Sequence, residues 1–155
     1  MVAFQRAVEY IKGHYPQPDQ LTEDRLFAVL YLIDWKSAIE RKQPLTDLLW
    51  QIERVPEPTS DQKKVVISAI QQPGYELQVD ASTGHSRVIG QTIDNLSTED
   101  TQVIDFVIQS ASQKSWPDLL RLVYSTFPVM TQPKHAPLDL VALADKYNRE
   151  YRPWL

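Results

Sequence analysis

The stretch "LFAVLYLI", Leu26 to Ile33, constrains this chain most: eight apolar residues in a row, inside a segment with helical punctuation. Thr22 is a plausible N-cap, with Glu23 and Asp24 in the first turn, where carboxylates suit the helix dipole. At about 100° per residue, Leu26, Leu30, Ile33 and Ser37 share one face and Phe27, Leu30, Asp34 and Ala38 the next. Leu32, Trp35 and Ile39 take the far side. A helix apolar almost all round belongs in the middle of a core. The spacing therefore predicts a central buried helix over about 22–42, emerging into water at Lys36, Glu40, Arg41 and Lys42 and stopped by Pro44. One residue stands against this pattern. Asp34 places a carboxylate at the end of the apolar run, and a buried carboxylate needs hydrogen bonds or a charge partner.

A central helix needs elements to cover it. Phe4, Ala7, Val8 and Ile11 predict an amphipathic helix from Val2 to Tyr10 or Ile11, ended by Gly13 and "PQP". "LLWQIERV", 48–55, alternates like a strand, with "PEP" at 56–58 as its breaker. Thr59 and Gln62 read as a capping box opening a helix through Val65, Val66 and Ile70. Tyr75, Leu77 and Val79, then a Gly84-containing turn and Val88-Ile89, predict a β-hairpin over about 75–80 and 86–92. Ser97 and Asp100 open a helix carrying Val103, Ile104, Val107, Ile108 and Ala111. Ser115, Pro117 and Asp118 open another with Leu119, Leu120, Leu122 and Val123. "FPVMTQPKHAP" reads as a loop, and Leu138 to Tyr147 as the last helix. The expectation is one α+β domain over 1–155, predominantly α-helical, with about six helices, a small antiparallel sheet and an aromatic tail at 147–155.

Composition narrows the function. At 155 residues and 43% hydrophobic, the chain can bury one core. A net charge of −4 argues against nucleic-acid binding, which wants a basic face. Without cysteine there is no disulfide framework, thiolate nucleophile or Cys-based zinc site. The N-terminus lacks a basic region followed by an apolar run, and no apolar stretch approaches bilayer length, so no membrane role and a cytoplasmic location are expected.

The chain carries no readable catalytic constellation. His14, His85 and His135 are far apart, with no partner at i+3 or i+4, so no metal pair forms from spacing. The four glycines are too scattered for a phosphate loop. Glu23-Asp24 and Glu99-Asp100 serve helix dipoles, and Arg41-Lys42 and Lys63-Lys64 are short solvated pairs. No catalytic, cofactor or metal residue is therefore named. Asp34 reads first as a brace bonded to backbone N–H groups or an indole N–H, and second as an acid in a fold-assembled enzyme site with one histidine. Tyr147, Tyr151 and Trp154 read either as interface anchors or as a clasp folded onto the body.

Tyr31, Leu32, Ile33, Asp34 and Trp35, followed by Pro44, Leu45 and Thr46, resemble the "LLYLADW" and "kPLTg" marks of the Panacea (SocA-like) antitoxin domain. Trp50 resembles the aromatic strand that follows; "LSTEDTQVIDFVIQ" and "KSWPDLLRLVYSTFPV" are similar to its later helices. The resemblance covers about residues 5–130. The family's Gly-Pro after the strand and its glycine after "PLT" are absent, the latter position being Asp47. The resemblance implies a non-enzymatic antitoxin that binds a cognate toxin, encoded by a neighbouring gene, by direct contact. Some relatives resemble adaptors that deliver the toxin to a protease, and some occur on phages. Tyr31, Asp34, Trp35 and Pro44 are then structural, and Trp50, Arg54, Tyr151 and Trp154 form the expected partner surface. No cofactor is implied. A nucleic-acid-binding regulator is a further alternative, and it requires a basic face.

Overall fold

The computed structural model describes residues 1–71 and 96–151. Among them the chain is predominantly helical α+β, with seven α-helices and a two-stranded antiparallel sheet. The order is α1 (Phe4–His14), a 3₁₀ turn (Pro18–Gln20), α2 (Glu23–Arg41), β1 (Trp50–Ile52), β2 (Pro56–Pro58) and α3 (Ser60–Ile70). Then come α4 (Thr98–Ser112), α5 (Trp116–Tyr124), α6 (Phe127–Thr131) and α7 (Leu140–Glu150). The predicted hairpin at 75–80 and 86–92 lies outside the described residues, as do His85 and Trp154.

α2 is the axis. Residues 25–35 are buried without a break, and α7, α4, α5 and β2 pack around it. Thr22 Oγ1 accepts the Arg25 N–H at 3.2 Å, capping its start. Its end is set by Lys42, which adopts the left-handed conformation (φ 67°) and donates its N–H to Ala38 O. That bond satisfies one of the last helical carbonyls. Ser37 Oγ donates to Gln43 O at 2.8 Å and receives Arg41 Nε at 3.1 Å, fixing the exit.

α4 is tied to α2 at both ends. Arg25, 7% exposed, directs Nη1 at Ala111 O and Lys114 O, both at 3.1 Å. It supplies a positive charge where the end of α4 carries partial negative charge. At the opposite end Arg41 pairs with Asp100 at 2.8 Å. Asp100 also closes the Ser97 capping box of α4. Burial alone would raise the Asp100 carboxyl; the Ser97 N–H and Arg41 outweigh it and hold it below its ordinary value.

Three expectations are corrected. "PEP" does not break the strand but forms β2, paired as Trp50↔Pro58, Gln51↔Glu57 and Ile52↔Pro56. Leu49 O accepts the Thr59 N–H and Val55 O the Glu53 N–H, so alternation turns the nitrogens of Pro56 and Pro58 away from β1. An edge strand tolerates proline there. On its other side β1 bonds residues 135–138, through His135 N–H to Ile52 O and Leu138 N–H to Trp50 O. Second, Thr59 and Gln62 form no capping box. Gln62 reaches back instead, accepting from Leu49 N–H at 2.7 Å and donating to Asp47 O at 3.2 Å. Third, the predicted loop after Thr126 contains α6, with Pro128 in its first turn, where the missing N–H is harmless.

Candidate functional site

Two features of α2 stand out: a closed polar clasp around Asp34 and an open apolar groove beside Lys36.

Asp34 is fully buried. Its Oδ1 accepts the Thr46 N–H at 2.8 Å, and its Oδ2 accepts Thr46 Oγ1 at 2.7 Å and Trp50 Nε1 at 2.8 Å. The Leu45 N–H also favours the ionised form. Thr46 Oγ1 accepts the Leu48 N–H at 3.2 Å, which fixes its own proton toward Asp34. Every partner is thus a donor, as an ionised carboxylate requires. Burial pushes the Asp34 carboxyl up from 3.8 to about 6, against the opposing pull of the Thr46, Trp50 and Leu45 bonds. The clasp joins the end of the apolar run to the "PLT" turn and to β1. Val2 extends it, donating its N–H to Leu45 O at 2.8 Å and accepting the Asp47 N–H at 3.1 Å.

Tyr31, one turn before Asp34, is fully buried. It donates to Thr126 Oγ1 at 2.7 Å, since Thr126 directs its own proton to Val123 O. Burial raises the Tyr31 phenol and the Thr126 bond opposes it. The Trp50 ring stands edge-on to Tyr31 at 5.7 Å. Trp35 is buried and meets Tyr147 of α7 in a T-shaped contact at 5.7 Å. Pro44 is half-buried in the turn after α2.

Of the expected partner surface, the structure describes Trp50, Arg54 and Tyr151. Trp50 is 3% exposed, behind the Asp34 clasp, and presents nothing to a partner. The alternation of 48–55 placed it on a face but could not say which face was buried. Arg54 is exposed, its carbonyl accepting Tyr124 Oη at 3.2 Å. Tyr151 is half-exposed, with its ring 5.3 Å from Phe127 and 5.9 Å from Tyr147. Among the described residues these three share no hydrogen bond or ring contact.

The described histidines stay away from Asp34. His14 stacks on Tyr10 at 3.9 Å, and His135 pairs with Glu53 at 2.9 Å. Tyr10 donates to Asp105 at 2.8 Å, and burial with that carboxylate pushes its phenol up to about 12. Among the described residues no group of three His, Asp or Glu could hold a metal ion, and no helix is long and apolar enough to cross a membrane.

The groove runs between α2 and α4 and is closed at one end by α5–α7. Its volume is about 370 Å³. Its α2 wall is Leu32, Trp35, Lys36, Ile39 and Glu40, and its α4 wall is Phe106, Val107, Ser110 and Ala111. Phe106 is 59% exposed, with Lys36 Nζ 4.1 Å from its ring centroid. Lys36 also bonds Glu40 at 2.6 Å. A legible signal for this groove lay in α4: Phe106 falls on the polar side of the helix, with Glu99 and Gln102, away from the stripe of core residues.

No family model, curated protein or solved structure matches the chain.

Proposed function

We propose that this chain is a protein-binding module of the antitoxin kind, acting in the cytoplasm by covering a functional surface of a cognate toxin. The observation that carries this reading is the open apolar groove between α2 and α4, rimmed by charge and lipped by an exposed Phe106. Apolar centres with polar rims are the pattern of protein interfaces. The resemblance to the Panacea domain adds direction, because the residues that carry it are engaged in holding the fold: Asp34 and Thr46 bond each other, and Trp50 bonds both strand and clasp. Binding is then the work of the surface, and no step of chemistry is assigned to Asp34. Delivery of the bound toxin to a protease is an extension of the same reading.

Co-expression with the product of the neighbouring gene tests it. The neighbour alone should arrest growth, and this chain should restore growth and co-purify with it. A harmless neighbour with no complex would refute neutralisation of that neighbour. The second reading, an enzyme using Asp34, is opposed by a carboxylate that is fully buried and surrounded by donors. A nucleic-acid-binding role would show as an affinity falling steeply with salt.

A further inference from the structure

Lys36 reaches across the gap between α2 and α4, its ammonium 4.1 Å from the centroid of the Phe106 ring. Glu40, one turn further along α2, holds the same ammonium at 2.6 Å. Phe106 is still 59% exposed, so the lysine covers only part of the ring. Two hollows lie along this helix pair, and Lys36, Glu40 and Phe106 line both. The larger, about 370 Å³, continues toward Trp35, Ile39, Val107 and Tyr147. The smaller, about 290 Å³, continues toward Arg41, Glu99, Gln102 and Val103. The contact of Lys36 with Phe106 stands at their common boundary.

The frame around this contact is fixed and the contact is not. Arg25 bonds the end of α4, and Arg41 pairs with Asp100 at its start, so the two helices are pinned on either side. Between those pins the side chain of Lys36 is held by a cation–π contact and one ion pair, with Lys36 and Glu40 side chains 25% and 39% exposed. Partly exposed contacts of both kinds are weak. Among the described residues the side chains of Lys36 and Glu40 make no other hydrogen bond or ion pair. The pair is neutral in itself, and the lysine stem can lie on apolar surface while its head stays wet. Lys36 therefore covers the boundary without needing a charge from outside.

We propose that Lys36 is a strap that divides the α2–α4 groove in the free chain and swings off Phe106 when the groove is covered, joining the two hollows into one. This rests on the protein-binding reading and adds a conformational step to it. Glu40 anchors the strap, and the Phe106 ring is its catch.

Two measurements on the full chain test this. In proton–carbon NMR the Lys36 ε-methylene should lie upfield of the other lysines, because it sits over a ring, and should return to the ordinary position in Phe106→Leu. Titration with Nile red, a neutral apolar dye, reads the groove itself. Lys36→Ala should bind the dye about fivefold more tightly than the parent, the loss of one cation–π contact and one ion pair. Glu40→Gln should give a smaller gain, and Lys36→Arg, which can stack and pair in the same way, none. Adding Ser110→Trp to Lys36→Ala fills the larger hollow and should abolish the gain; thermal melts confirm that every variant folds. A Lys36 ε-methylene at the ordinary position in the parent overturns the strap. So does dye binding equal in the parent and Lys36→Ala, or a gain that survives Ser110→Trp. Growth rescue by co-expression alongside any of these failures overturns the strap and leaves the antitoxin reading standing. A strap that passes beside a harmless neighbour stands, and the reading that fails is neutralisation of that neighbour.

Discussion

Asp34 and Lys36 stand two residues apart on one helix and belong to opposite environments. Asp34 points inward to a clasp in which each carboxylate oxygen meets fixed donors and no solvent. Lys36 points outward to a groove lined mostly by apolar side chains, where it bonds Glu40 and lies over the Phe106 ring. The clasp is a case of satisfied burial, in which removing one member orphans several others. The groove is a case of unsatisfied surface, in which substitutions cost the fold little and a partner much. A reading that assigns structure to the first and recognition to the second predicts that their mutational signatures separate.

The largest expected effect is Asp34→Ala. It leaves the Thr46 N–H, Thr46 hydroxyl and Trp50 indole without acceptors in a sealed space, and should destabilise by about 3–5 kcal/mol. A denaturant midpoint unchanged from the parent chain would refute the clasp.

Titration gives the next effect. The folded Asp34 carboxyl, at about 6, lies above its ordinary 3.8, so between those values the folded chain holds more protons than the unfolded. The Asp34 contribution is therefore most favourable below 3.8, falls as pH rises toward 6, and is flat above, by about 3 kcal/mol in all. Asp100, held low, has the opposite sign: its contribution is present above 3.8 and is lost as pH falls through its folded value. Carbon NMR of the Asp34 carboxyl should show a midpoint near 6, and one near 4 would contradict a sealed carboxylate. Relative to the parent, Asp34→Asn should remove the negative slope between pH 4 and 6.

Trp50→Phe keeps the ring against Tyr31 and removes only the indole donor, with an expected loss of about 1–2 kcal/mol and a further rise of the Asp34 carboxyl. Tyr31→Phe should cost about 1 kcal/mol, since Thr126 keeps its bond to Val123. At the small end, Phe106→Ala should change stability by no more than about 0.5 kcal/mol, and on the proposed reading it should weaken binding of the protein partner in a pull-down or calorimetric titration. A large stability loss there would erase the distinction between clasp and groove.

The sequence made some of this legible. The unbroken run Leu26–Ile33 demanded a helix covered on all sides, and α2 is that helix. Ser97-x-x-Asp100 and Ser115 with Pro117 marked helix starts because capping is local chemistry, settled within four residues. Where the outcome depended on distant groups, local rules misled. Thr59 and Gln62 have the spacing of a capping box, yet Gln62 finds better use bonding Leu49 and Asp47. "PEP" looks like a breaker, yet pairs with β1 because its prolines fall at the positions turned away from the ladder. Trp50 reads as a surface aromatic until the fold brings Asp34 to its indole, 16 residues upstream.

By itself, then, the sequence determined that a buried helix runs through this protein and that a carboxylate at its core must be bonded. Periodicity and desolvation are properties of the chain alone. Only the tertiary structure decided which donors reach Asp34, and that Lys36 of α2 meets the exposed Phe106 ring of α4. Burial of a residue is fixed by what packs against it: for Asp34 those partners are Thr46 and Trp50, and for the outer face of α2 they come from α4 and α7.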